Sequence, residues 1–243
     1  MKKSLIILAV SLFLIQSVFP QQKRALKSWK TFVSIGYGST ESNSFSKYYK
    51  SLIDSYRFSG VPINTQREFG PTILANTGFI FNFLANIGAG ISFGYLYSPA
   101  YSNYKDYAGI VKINGSVSNY DILLNVYYVV QKIGKFPIVI NPRIGFSQSS
   151  IIITQEVRFN NFQEYNYNRK LTNSGWGPCA QFTIGTSVNL GDYFVNIDAG
   201  YRWAWIVPKE QMEESITGTD YAYEVTDIGL IGFTSSLSFG IKF

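Results

Sequence analysis

The last sixteen residues, IGLIGFTSSLSFGIKF, set Ile231, Phe233, Leu237, Phe239, Ile241 and Phe243 at every second position, with only Ser235 interrupting. A period of two is one face of a β-strand. The opposite face, from Gly232 through Thr234, Ser236, Ser238, Gly240 and Lys242, is small and polar. A strand this apolar on one side must cover that side with a protein core or with lipid.

Six other segments repeat the pattern, at 72–83, 87–97, 120–130, 138–146, 180–190 and 193–205, and a shorter one lies at 31–38. In 87–97, Ile87, Ala89, Ile91, Phe93, Tyr95 and Tyr97 stand against Gly88, Gly90, Ser92 and Gly94. The total is eight strands, an even number. Their connections alternate between tight turns at 84–86, 132–135 and 191–192 and long polar stretches at 39–70, 98–118, 149–177 and 207–227. Transmembrane barrels have this asymmetry, with short periplasmic turns and longer extracellular loops. With the C-terminus on the periplasmic side, all three turns fall on that side. A soluble eight-stranded barrel of the lipocalin type would turn its apolar faces inward and would need charge on the others. Here the other faces are rich in Gly, Ser and Asn, an under-charged surface for water but a fitting lining for a narrow barrel.

Within the long connections, Tyr49, Leu52, Ile53 and Tyr56 recur at helical spacing. They fit a short loop helix or an irregular tyrosine-rich loop. Segments 109–117 and 151–159 look extended, and as strands they would stand above the membrane as a protruding sheet with an open edge. Whether such upper strands widen the barrel from eight to ten stays open.

Lys2 and Lys3 precede an apolar stretch, Leu5 to Ile15, in the layout of a secretory signal peptide over 1–20. The stretch is shorter than the ~20 residues a helix needs to span a bilayer. No cysteine follows it, which excludes a lipoprotein anchor on chemistry. Removing Lys2 and Lys3 with the signal leaves 19 of the 21 basic side chains against 15 acidic ones, a net +4. That excess forms no basic stripe of the kind nucleic-acid binders show. Aromatic residues make up 17% of the chain, as expected where amphipathic rings collect at membrane interfaces. The chain has no histidine, which removes the commonest general base and the commonest metal ligand, and its one cysteine, Cys179, allows no internal disulfide.

Signal peptide, alternating strands, long and short loops and the terminal FGIKF together resemble small bacterial outer membrane β-barrel proteins of the OmpA-like and OmpX-like kind. The resemblance covers essentially the whole mature chain. It implies an all-β fold, a transmembrane antiparallel up-and-down barrel of eight strands over 31–243, with 21–30 as a periplasmic N-terminal segment. The chain stops at the barrel with no periplasmic peptidoglycan-binding domain, which departs from OmpA itself and resembles the barrel-only members. The resemblance also implies that Phe239, Ile241 and Phe243 are the signal read by the barrel assembly machinery, and that the outside of the barrel meets outer membrane lipids and lipopolysaccharide. Barrel enzymes of the outer membrane, namely phospholipases, palmitoyltransferases, lipid A deacylases and omptin-type proteases, rely on histidine, so none of their activities transfers.

Four charged residues, Asp121, Arg143, Asp198 and Arg202, fall on the small, polar faces, where ionic groups must pair or meet trapped water. Counted from the turns, Asp198 and Arg143 come at similar depth, which predicts a salt bridge or water-linked pair filling the lumen. Tyr95, Tyr97, Tyr201, Trp203 and Trp205 lie at the loop-side strand ends, where an aromatic girdle belongs. Residues 207–227 hold Glu210, Glu213, Glu214, Asp220, Glu224 and Asp227 against Lys209 alone. They make a solvated acidic loop or a divalent-cation loop of oxygen ligands. Loop tyrosines offer contacts to an extracellular protein or glycan. These features predict a non-enzymatic outer membrane protein that needs no cofactor, touches no nucleic acid and acts through its loops in adhesion, surface structure or an envelope complex. The alternative is a narrow, porin-like channel or small-ligand transfer barrel.

Overall fold

The computed structural model describes residues 28–67, 71–134, 136–161, 163–209, 215–216, 219–220 and 227–243. The signal peptide expected at 1–20 lies outside them. In chain order the elements are β1 (Ser28–Glu41), α1 (Asn43–Phe58), β2 (Asn64–Arg67), β3 (Thr72–Asn82), β4 (Ile87–Lys105), β5 (Gly109–Ile133), β6 (Phe136–Phe159), β7 (Tyr167–Leu190), β8 (Tyr193–Ala204), β9 (Val207–Pro208), β10 (Ser215–Ile216), β11 (Thr219–Asp220) and β12 (Ile231–Lys242). The first strand takes in Ser28, Trp29 and Lys30, three residues of the expected N-terminal segment.

Eight strands close a ring in the order β1, β3, β4, β5, β6, β7, β8, β12, every pair antiparallel. The seam is β12 on β1, and it ends with Trp29 N donating to Phe243 O at 3.1 Å and Phe243 N to Trp29 O at 2.9 Å. No sheet edge is left in the ring, which is what lets strands cross lipid. The remaining short strands do not widen it: β2 adds to β4, β9 adds to β7, and β10 pairs with β11. At the β7–β8 turn the chain reverses through Gly191 at φ 68°, a left-handed conformation that favours glycine.

Outward side chains form a continuous apolar band. Ile35 is 68% exposed, Leu124 62% and Ile144 63%, with Ile122, Phe146, Phe182, Ile184, Ile197, Phe233 and Phe239 exposed around the same belt. An apolar ring of this extent belongs in lipid, not water. The shorter strands β3, β8 and β12, with 11, 12 and 12 residues, match the roughly 9–11 residues a tilted strand needs to span. The chain is therefore a transmembrane all-β barrel with the architecture of the bacterial outer membrane.

Strands β5, β6 and β7 run 25, 24 and 24 residues, about twice the span of a membrane. Two of the expected long loops, 98–118 and 149–177, are thus mostly hairpin strands with tips near Asp106 and Asn160. Along β5 the polarity of the two faces inverts. From Asp121 to Tyr127 the inward face carries Asp121 and Asn125 while Tyr120, Ile122, Leu124 and Val126 face out. Above Asn119, Val111, Ile113 and Val117 are buried inward, with Lys112 and Asn114 exposed outward. In β6 the same change runs from buried Asn141 and Arg143 to buried Ile151, Ile153 and Val157. Below the change the molecule is built for lipid. Above it lies a head with its own apolar core.

Helix α1 fills that head. Phe45, Tyr48, Tyr49, Leu52 and Ile53 share one face at i, i+3, i+4, i+7 and i+8, and all are buried against Val111, Ile113, Val117, Ile151 and Ile153. Its start is set by Ser42 in extended conformation (φ −101°, ψ 105°), whose carbonyl accepts from Ser46 N at 2.7 Å. The four tyrosine and aliphatic positions read from the sequence belong to a helix, longer at both ends than their spacing alone marks.

At the periplasmic end Phe32, Ile80, Tyr127, Val139 and Phe194 form a second apolar cluster inside the ring. Gly240 makes room for it, since a Cβ there would sit 2.2 Å from the Phe194 ring. Gly240→Ala is expected to destabilise by about 1–3 kcal/mol through overpacking. Urea unfolding of the barrel in lipid vesicles checks this, and the Gly240→Ala, Phe194→Leu double variant should recover part of the loss.

Candidate functional site

The lumen is the best-defined chemical environment in the protein, and it is built in layers. Nearest the periplasm is the cluster around Phe194, with the Lys30 ammonium 4.7 Å from the centre of the Tyr127 ring and 5.4 Å from that of Phe194. Such a position over ring faces suits a cation that has few water contacts.

The second layer is polar. Arg143 is buried beside Asn141, whose carbonyl oxygen, with the amide oriented to suit its neighbours, accepts from Arg143 Nε at 3.1 Å and Nη2 at 2.9 Å. Asp198 accepts from Ser236 Oγ at 2.9 Å, and Ser92 Oγ donates to Asn125 Oδ1 at 3.1 Å.

Above it lies a buried ion pair. Arg202, 1% exposed, donates from Nη2 to Asp121 Oδ1 at 2.8 Å and from Nε to Asp121 Oδ2 at 3.2 Å. Two parallel N–H···O bonds give both the charge and the geometry that a buried pair requires. Arg202 also donates to Ser147 Oγ at 3.1 Å and to the Leu230 carbonyl, while the Asn119 oxygen, suitably oriented, accepts from Nη2 at 3.2 Å. The guanidinium thus ties β8 to β5, β6 and the segment leading into β12.

The four charged residues singled out in the sequence line the lumen; the direct ion pair joins Asp121 to Arg202, while Asp198 and Arg143, expected as a salt bridge or a water-linked pair, face one cavity without a direct bridge. Strand stagger explains the difference. Arg202 is paired in register with Gln181, and Arg143 with Asn125 and Gln181, so the tilt of the strands raises Arg202 to the level of Asp121 across the lumen.

The upper lumen is closed by chain at the two ends of the 207–227 connection. Ile206, Ile228 and Leu230 are fully buried, and Ile228 N donates to Ile206 O at 2.9 Å. Asp227 makes this corner: its Oδ1 accepts from Ile206 N at 3.0 Å and Gly229 N at 2.8 Å, and its carbonyl accepts from Ser42 Oγ at 3.0 Å. This carboxylate, grouped by sequence with possible cation ligands, is spent on backbone amides. Of the others, Glu210, Glu213, Glu214 and Glu224 lie outside the described residues, and Asp220 is described only in its backbone. Among the described residues no cluster of three or more acidic, histidine or cysteine side chains is placed to hold a metal. The turn was readable in principle from Asp227-Ile228-Gly229, since Asp bonds readily to backbone two residues on.

Over the closed lumen sits α1. Tyr49 donates from its hydroxyl to the Ile113 carbonyl at 2.9 Å, and its oxygen is hydrogen-bonded to the Ser102 hydroxyl at 3.2 Å. Burial pushes this phenol from its ordinary 10.0 up to about 12, with the Ser102 bond acting against the shift. The folded state therefore holds the proton more tightly than the unfolded chain. Its contribution to stability is complete below pH 10 and is lost as pH rises from about 10 through about 12. Tyrosinate absorbance of Tyr49→Phe should lose one late-titrating phenol relative to the native protein.

Tyr95, Tyr97, Tyr201, Trp203 and Trp205 all face outward at the loop-side end of the apolar band. Tyr95 packs on Tyr120 with ring centres 5.0 Å apart, and Tyr201 on Phe233 edge-on at 4.9 Å. Trp176 joins the belt from β7, and at the other rim Trp29 packs on Phe81 with ring centres 4.7 Å apart beside exposed Phe83, Phe136 and Tyr193. Phe239, Ile241 and Phe243 point outward on β12 at 53%, 39% and 72% exposure.

No family model matches the sequence. No curated protein matches it either. Among solved structures, OprG, an outer membrane protein from Pseudomonas aeruginosa, is 12% identical with a TM-score of 0.42, over 91% of this chain and 99% of its own. Ail, the attachment invasion locus protein of Yersinia pestis, solved in complex with the heparin analogue sucrose octasulfate, is 10% identical with a TM-score of 0.41, over 88% of this chain and 99% of its own. Neisserial surface protein A is 9% identical with a TM-score of 0.38, over 88% and 95%.

Proposed function

We propose that the protein is a non-conducting, non-enzymatic outer membrane anchor that acts through its extracellular head. The observation that carries this reading is the closure of the lumen at three levels: an apolar cluster at the periplasmic end, the Asp121–Arg202 layer in the middle, and Ile206, Ile228, Leu230 and α1 above. Narrow barrels fill their interiors with side chains, and here two apolar clusters flank a buried ion pair. The head adds the second half of the reading. It extends β4 to β7 well beyond the membrane, has its own core, and presents exposed Phe58, Tyr101, Tyr107 and Tyr167 to a protein or glycan in adhesion, surface structure or an envelope complex. Lipids and lipopolysaccharide are the partners of the band and its girdles, and the outward Phe239, Ile241 and Phe243 suit recognition by the barrel assembly machinery. Planar-bilayer recording tests the anchor reading. The native protein and Arg143→Ala should both give zero steady conductance, because the Phe194 cluster and the Arg202 layer close the lumen on either side of Arg143. Steady single-channel steps from the native protein would replace the anchor by a narrow channel.

A further inference from the structure

Between the periplasmic apolar cluster and the Asp121–Arg202 layer lies an internal cavity of about 20 Å³, lined by Phe32, Ile80, Tyr127 and Val139 on one side and by Arg143 and Asp198 on the other. Arg143 and Asp198 carry opposite charge and face the same space, yet they form no ion pair within 4.0 Å, whereas Asp121 and Arg202 do. The Asn141 carbonyl occupies two of the five guanidinium N–H donors. Ser236 occupies one carboxylate oxygen of Asp198. A further polar atom on the cavity wall, Asn196 Oδ1, is buried without a hydrogen-bond partner. Buried polar atoms of this kind are normally satisfied, and a cavity of roughly 10–15 Å³ or more with two to four polar partners is what a buried water requires.

We propose that this cavity is a built hydration site, in which one ordered water links Arg143 to Asp198. The water accepts from the Arg143 guanidinium and donates to the Asp198 carboxylate and to Asn196 Oδ1. Three of its four hydrogen-bonding positions are used, and the orphaned Asn196 oxygen gains a partner. Water suits the site better than an ion: the cavity faces one cation and one anion, so a charged guest would be repelled by one of them. The apolar cluster below and the Arg202 layer above isolate the site, so its occupant exchanges slowly.

A crystal structure of the folded barrel tests the occupancy. One density peak within hydrogen-bond distance of Arg143, Asp198 and Asn196 is the expected result; a direct Arg143–Asp198 salt bridge, or a cavity without density, overturns it. Water–protein NMR transfer to the Arg143 side-chain N–H groups, measured on the native barrel in nanodiscs, tests the isolation. A long-lived water signal that is lost in Asn196→Leu, with the barrel still heat-modifiable on gels, supports the site. A signal unchanged in Asn196→Leu overturns it. The readout is independent of conductance: a rapidly exchanging water in a conducting barrel would overturn the anchor reading as well, whereas an empty cavity in a non-conducting barrel would overturn only the hydration site.

Discussion

Replacing Arg202 with alanine is expected to lower the stability of the barrel by about 3–5 kcal/mol, the usual loss when one partner of a buried ion pair is removed. Three consequences fall together in this substitution. Asp121, itself buried, is left as an uncompensated carboxylate inside the lumen. The Leu230 carbonyl and Ser147 lose their donor, and with them the tie between β8 and the segment that enters β12 weakens. Equilibrium urea unfolding in lipid vesicles, read by tryptophan fluorescence and by heat-modifiable gel migration, measures the loss. Asp121→Ala should approach it, because it strands the guanidinium. The Asp121→Leu, Arg202→Met double variant should lose less than either single variant, since apolar replacement of a whole buried pair is often neutral. A double variant as unstable as a single one would show that the pair itself, rather than the stranding of a charge, stabilises the fold.

The second large effect is expected in the head. Phe45 is completely buried between α1 and the upper sheet, and Phe45→Ala should cost about 3–5 kcal/mol. Because the head core and the periplasmic apolar cluster are separate, the damage should stay local. Limited proteolysis of intact cells or nanodisc samples should cut between β1 and β3 in the variant and not in the native protein. The barrel itself should keep its folded migration on unboiled gels. Leu52→Ala on the same helix face should act in the same direction with an effect of about 2–5 kcal/mol. A variant in which barrel and head fail together would mean that α1 is part of the barrel's own folding unit.

The different legibility of these two regions follows from how each is encoded. Strands such as β3, β8 and β12 alternate strongly along their whole length, so the lipid face could be assigned residue by residue from Ile73 to Phe81 and from Tyr193 to Trp203. In β5 and β6 the alternation reverses. Near the reversal both faces are polar, as in Ser116, Ser118 and Asn119 or in Ser147, Gln148, Ser149 and Ser150. Read locally, such stretches look like loops, and the apolar residues beyond them look like isolated short strands. Only the partner strand, which continues in register from Ser118↔Ser150 up to Gly109↔Phe159, shows that the chain never leaves the sheet.

The lumen was half legible for a related reason. Period-two alternation tells which residues face inward, and Asp121, Arg143, Asp198 and Arg202 lie on those faces. It does not tell at what height they meet, since height depends on strand tilt and stagger, which a pattern confined to one strand leaves free. Asp227 shows the same limit in a loop: its charge is visible in the sequence, whereas its use as an acceptor for Ile206 and Gly229 depends on a chain reversal.

By itself the sequence determined the secondary-structure period, the even number of spanning strands, the lipid-facing side of each and the short turns that join them, because all of these are local consequences of side-chain alternation and backbone chemistry. The tertiary structure decided which charges pair, that α1 is seated inside the upper sheet, and that the lumen is closed from Phe194 to Leu230. Each of those depends on the relative height of strands brought together by ring closure, a quantity set by packing across the barrel and not by any one segment.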